Sequence, residues 1–121
     1  MTLPDETTYP GAAVIRPAEV ADAADIAQLL GQLGYPSGPA GIASRLERLS
    51  ASAADQVLVI ERDGQVLAVA SIHFMAYFHR GELLCKITSF VVEEGCRGQG
   101  VGSALLARIE HIARQRGCQR M

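Results

Sequence analysis

The chain has 121 residues, 49% of them apolar and 20% charged, and a formal net charge of −2. That length suits one domain, 1–121, with a core of its own. The near-balanced charge, with no basic block, speaks against a nucleic-acid binder and against docking on an anionic membrane, and no apolar run approaches the roughly 18 residues of a spanning helix.

Residues 1–11 hold Pro4, Asp5, Glu6 and Pro10 and read as a loose, flexible arm. Ala13-Val14-Ile15-Arg16 reads as a short strand stopped by Pro17. Asp22 is placed to cap a helix with Asp25 in its first turn. Ile26, Leu29, Leu30 and Leu33 follow at helical spacing, and Gly34 and Pro36 end the run. Ile42, Leu46 and Leu49 mark a second helix of about three turns. Residues 56–61 read as a strand, Asp63-Gly64 as a tight hairpin turn, and residues 65–74 or a little beyond as the returning strand. A turn over 78–82 leads into a third antiparallel strand, 83–92. The order is therefore β-α-α-β-β-β-α, counting a last helix after residue 102, with Val101, Leu105, Ile109 and Ile112 on its inward stripe and Gly117 closing it.

Between the last strand and that helix stands Arg97-Gly98-Gln99-Gly100-Val101-Gly102. A helix start exposes unpaired N–H groups and a partial positive charge, which favour phosphate. Glycines let the backbone approach an anion and take positive φ without strain. Arg97 adds a fixed positive charge. The loop thus reads as a diphosphate cradle. It is not a Walker loop, since the single lysine, Lys86, lies upstream. Nor is it the dinucleotide fingerprint, because Ser103 stands where the third glycine belongs.

The six residues, with the strand Phe90-Val91-Val92 before them and Ser103-Ala104-Leu105-Leu106 after them, resemble the acetyl-CoA signature of the GNAT N-acetyltransferase superfamily. The element order resembles the N-terminal portion of that fold, from Ala13 to Met121. The resemblance implies an α/β (α+β) acyl-CoA N-acyltransferase fold with a mainly antiparallel mixed sheet. It implies acetyl transfer from acetyl-CoA, as cosubstrate, to a primary amine of a small molecule or peptide. The diphosphate falls to Arg97, Gly98, Gln99, Gly100, Val101, Gly102 and Ser103, and the pantetheine arm to the backbone of Phe90, Val91 and Val92. A backbone N–H of the same strand is expected to meet the developing oxyanion.

Family members continue after this helix with a strand, a fourth helix and usually a hairpin. Only Cys118-Gln119-Arg120-Met121 stand there in this sequence. The competing expectation is a catalytically incomplete CoA-binding fragment, or a module completed by another chain. A phosphate binder unrelated to CoA is a third. With residues 83–92 short of a neighbour, the chain is expected to pair with itself as a homodimer.

The base that deprotonates the attacking amine is not identified by the pattern. Glu61, His73, His79 and Glu82 are candidates, each with a surface or turn residue as its bland alternative. Thr88 and Ser89 lie near the expected thioester. His111 reads as part of a solvated helix face, and Glu93 and Glu94 as pointing to solvent. The three histidines have no metal-ligand spacing, and no metal is expected. Cys85, Cys96 and Cys118 show no Cys-x-x-Cys pair and read as reduced thiols of a cytoplasmic protein. Cys96, beside the loop, is a packing residue or, less simply, a reactive thiolate.

Overall fold

In the computed structural model the described residues are Thr7–Tyr9 and 13–121. The elements are β1 (Thr7–Tyr9), β2 (Ala13–Pro17), α1 (Ala23–Gln32), α2 (Pro39–Ser50), β3 (Asp55–Arg62), β4 (Gln65–Ala76), β5 (Leu83–Val92) and α3 (Val101–Gln115). The expected order is present, with one strand added. Thr7–Tyr9 pair with Ala13–Ile15, so part of the segment read as a loose arm is a strand; the rest of 1–11 lies outside the described residues.

The strands form one antiparallel sheet in the order β1-β2-β3-β4-β5. Period-two alternation sends side chains to its two faces. Ile15, Leu58, Ile60, Ala70, Ile72 and Phe74 pack with Val101, Leu105, Ile109 and Ala113 of α3. Val59, Val66, Val69 and Val91 pack on the other face with Ile26 and Leu29 of α1 and with Ile42 and Leu46 of α2. Each helix is thus apolar along one stripe, and the sheet lies between two helical layers. The expected stripe of α3 stands, with two refinements: Ile112 is half-buried against the core, and Arg108 is buried on the same helix.

Asp63 and Gly64 turn the β3–β4 hairpin with φ of 53° and 79°, the left-handed pair such a turn demands. Beyond it the register shifts by one residue: Glu61 pairs with Val66, but Ile60 pairs with Ala68. A second shift separates Ser71–Ser89 from Ile72–Ile87, leaving Thr88 as the extra residue of β5. Such bulges re-aim side chains.

Asp22 is not used as the helix cap expected of it. Its carboxylate takes two bonds from the Arg16 guanidinium, both 2.8 Å, and one from the Glu19 N–H at 2.7 Å. Arg16 also bonds Glu61 at 2.7 Å. The Arg16 bonds hold the Asp22 carboxyl below the usual carboxylate range. The network ties β2, β3 and the start of α1 together.

After α3, Gly117 takes φ of 80° and the chain turns back beside β5. The Gln119 N–H bonds the Leu83 carbonyl and the Cys85 N–H bonds the Arg120 carbonyl, both at 3.0 Å, in a parallel bridge of Leu84 with Arg120. Among the described residues this contact touches only the start of β5. Phe90, Val91 and Val92 stand on the sheet edge.

Candidate active site

β5 carries a different kind of chemistry at each end. Its C-terminal end runs into a single turn of tight helix, Glu94–Cys96, and then into the glycine loop. Gly98 and Gly100 take φ of 83° and 81°, the left-handed region where a side chain is strained. Gly100 is the cap residue of α3. The first bond of that helix runs from the Ala104 N–H to the Gly100 carbonyl at 3.0 Å, so the amides of Val101, Gly102 and Ser103 precede it and face out of the helix end. They open on a cleft of about 360 Å³ lined by Val92, Cys96, Arg97, Gly98, Gly100, Gly102 and Ser103. Arg97 is exposed; its Nε donates to the Val92 carbonyl at 3.3 Å, which holds the guanidinium at the cleft mouth. Gln99 reaches back instead, its amide donating to the Gly95 carbonyl at 3.3 Å.

A Cβ on Gly102 would lie 3.4 Å from the Val92 side chain and 3.5 Å from the Phe90 ring. Both are ordinary contact distances, so the start of α3 packs on β5 without needing glycine at 102 for space. The positive φ values, the outward amides and the fixed cation suit a diphosphate, and the chemistry of the donor set fits the cosubstrate the sequence suggested.

Cys96 is buried. Burial and a hydrogen bond with Glu93 push its thiol up, against a smaller pull from Arg62. It is a packing residue beside the loop and not a ready thiolate. Glu93 accordingly is only half-buried rather than free in solvent, while Glu94 is exposed.

The other end of β5 offers side chains. Where Thr88 bulges out, the Ser71 hydroxyl lies 2.6 Å from the Thr88 hydroxyl and 2.6 Å from the Ser89 hydroxyl. Two residues further along β4, His73 shares the face of Ser71. Its Nδ1 lies 2.8 Å from Asp55 Oδ1. The Ser52 hydroxyl donates to Asp55 Oδ2 at 2.7 Å, and the Ala54 N–H donates to that hydroxyl at 3.2 Å. The Ser52 bond and the imidazole together hold the Asp55 carboxyl below its usual range.

The four candidate bases are not brought together. Glu61 is engaged by Arg16 at the far end of β3, six residues from Asp55. Glu82 pairs with Arg80 at 3.3 Å in the β4–β5 turn. His79, in the same turn, is exposed and has its ring 5.8 Å from that of Tyr77. His111 is half-buried on α3, across the sheet from His73. Asp55, Ser52 and Ser71 were not singled out by the sequence, since nothing local marks them; only the hairpin register joins them to His73.

The fold and loop are those of the GNAT class of domain. The Acetyltransferase (GNAT) family model matches residues 25–121, and the chain belongs to that family. It is 38% identical over 58 residues to the aminoalkylphosphonate N-acetyltransferase of Salmonella typhimurium; the match spans 48% of this chain and 38% of that protein's length. Among solved structures, a GNAT family acetyltransferase from Staphylococcus aureus superposes with a TM-score of 0.82 at 20% identity, covering 89% of this chain and 82% of its own, a likeness of fold. The glucosamine-6-phosphate N-acetyltransferase of Arabidopsis thaliana superposes with a TM-score of 0.79 at 25% identity, covering 89% of this chain and 78% of its own. Among the described residues no helix is long and apolar enough to cross a membrane, and none of their side chains form a metal-binding group.

Proposed function

We propose that this chain transfers an acetyl group from acetyl-CoA to a primary amine of a small molecule or peptide. The observation that carries the reading is the left-handed Gly98–Gly100 loop, which delivers the Val101, Gly102 and Ser103 amides to one cleft beside Arg97. The diphosphate rests on those amides and on Arg97. The pantetheine arm runs along the edge of β5, where Phe90, Val91 and Val92 offer backbone groups. The thioester then falls near the Thr88 bulge, and holding both reactants there supplies much of the rate. Two relatives are named for small amines, an aminoalkylphosphonate and glucosamine 6-phosphate, which supports a small polar amine; the ribosomal-protein-alanine N-acetyltransferase of Brucella melitensis, named for a protein acceptor, is at 20% identity a likeness of fold alone.

Thermal unfolding with ligand tests the binding half. A ligand at 100 times its Kd stabilises by about 2.7 kcal/mol. Acetyl-CoA should raise the Tm and ATP much less; equal shifts with the two would point to a general phosphate binder. Release of free CoA thiol on adding amines tests the transfer half. A chain that binds acetyl-CoA but releases no thiol with any amine offered would overturn the enzyme reading.

A further inference from the structure

The acetyl-transfer reading leaves a proton without a destination, because an amine at neutral pH arrives as an ammonium. Resting on that reading, we propose that His73, oriented by Asp55, is the base that takes this proton. Asp55 and His73 face each other across the β3–β4 hairpin as register partners. The carboxyl is held in its charged form by Ser52 and the imidazole, so it only accepts, and the 2.8 Å contact places the ring proton on Nδ1. That leaves Nε2 as the acceptor. The His73 side chain keeps 38% of its surface exposed while Asp55 keeps 21%, so a substrate reaches the ring more readily than the carboxylate behind it.

The placement relative to β5 supports the role. Lys86, the register partner of His73 on β5, stands two residues before the Thr88 bulge. Across the strands the register sets Asp55 of β3 and Lys86 of β5 opposite His73, with the neutral Ser52 behind Asp55, and at the end of α3 Arg116 donates to the Ala53 carbonyl. Asp55 stabilises the imidazolium formed when His73 takes the proton. The contact of His73 with Asp55 is that of a base and the group that orients it.

The step balances. His73 Nε2 takes one proton from the ammonium. The freed lone pair forms the C–N bond to the thioester carbon, and the C–S bond breaks with its electron pair leaving on sulfur. The thiolate takes the second N–H proton, and His73 returns the first to water. Asp55 touches none of the reacting atoms and is a positioning residue.

The test is thiol release by the full chain across a panel of primary amines, with acetyl-CoA saturating. H73Q should lower kcat about 100-fold at neutral pH, leave KM for acetyl-CoA and its Tm shift unchanged, and recover rate as pH rises, since an already neutral amine needs no base. D55N should lose less and should move the ring proton from Nδ1 to Nε2, read by nitrogen NMR of the imidazole. H79Q should match wild type. Equal rates for wild type and H73Q, or a wild-type ring with its proton on Nε2, would overturn the base while leaving acetyl transfer standing. No thiol release from wild type with acetyl-CoA bound would overturn the transfer reading and the base with it.

Discussion

The two ends of β5 are built by opposite means. At Val92 the strand meets a cradle made of main chain, in which three of the six residues from Gly98 to Ser103 are glycine. At Lys86 it meets a cluster made of side chains, drawn from β3, β4 and the turn before β3. A diphosphate needs only donors in the right directions, and backbone amides at a helix start supply them whatever residues lie around. Proton transfer needs a titratable atom with a fixed tautomer, and only specific side chains supply that. One end therefore depends on φ angles, the other on residue identity and register.

The largest expected effect breaks the first end and spares the second. Gly100 sits at φ of 81°, a region that costs a residue with a Cβ roughly 1–2 kcal/mol and a β-branched one more. Gly100→Val should abolish the acetyl-CoA Tm shift, a loss of about 2.7 kcal/mol at 100 times Kd. The His73 ring proton should stay on Nδ1. An undiminished Tm shift in this variant would remove the loop from the cosubstrate site.

A variant in the shared frame should loosen both ends together. Asp22→Asn removes the charge and one of the two oxygens that accept from Arg16, a charge-assisted bond of that class contributing about 1.5–3 kcal/mol; we expect a loss near 2 kcal/mol in urea unfolding at neutral pH, because the remaining amide oxygen and Glu61 still engage Arg16. The pH dependence carries a sign. The Asp22 carboxyl is depressed in the folded chain, so its contribution is complete above the ordinary Asp value of about 3.9 and disappears as pH falls through the lower folded value. Wild type and variant should therefore converge in stability in acid. A gap that persists well below that range would mean the lost stability is packing rather than charge.

How much of each end was legible in the sequence follows from how each is built. The loop is contiguous, so Gly98, Gly100 and the helix that follows could be read in one line. The helical stripes were legible for the same reason, Arg108 excepted, because a long polar side chain in a helix gives no sign of being buried. The His73–Asp55 pair is 18 positions apart, and its register is not what the turn implies. Arg62 pairs with Gln65 at the turn; continued without a bulge, that register puts Asp55 opposite Ile72. The bulge after Glu61 moves Asp55 opposite His73 and onto the same face. A single extra residue in β4 is set by packing of Leu67 and Ala68 on the α3 side, which no local pattern announces. Asp22 was misread for a related reason: its helix-start position was right, but Arg16, six residues away, competes for the carboxylate and wins with two charge-assisted bonds.

A smaller effect sharpens the electrostatic side of the loop. Arg97 is exposed, so its pull on a diphosphate is screened and amounts to about 0.2–1 kcal/mol. Arg97→Ala should weaken acetyl-CoA binding by that amount, a few-fold in Kd by titration calorimetry, and flatten its salt dependence. Affinity for pantetheine, which lacks the diphosphate, should not change. If pantetheine binding falls equally, Arg97 acts through its bond to the Val92 carbonyl and shapes the strand end instead.

The smallest expected effect separates two glycines that the sequence presents alike. Gly100 is needed for its backbone angle, while Gly102 lies inside the first turn of α3 and has no positive φ. A methyl group there would meet Val92 at 3.4 Å and Phe90 at 3.5 Å, ordinary contacts between apolar side chains. Alanine is also a better helix former than glycine, by up to about 1 kcal/mol in a helix interior and less at its start. Gly102→Ala should therefore leave the Tm of the free chain unchanged or slightly raised, and should keep the acetyl-CoA shift, since the amide that faces the cleft is still present. Gly100→Ala, by contrast, should lower both. Measured side by side in one melting experiment, the pair isolates backbone conformation from space. If Gly102→Ala lost the shift as Gly100→Ala does, the diphosphate would have to approach the α-carbon of residue 102 itself, and the cradle would lie deeper against Phe90 than the outward amides alone require.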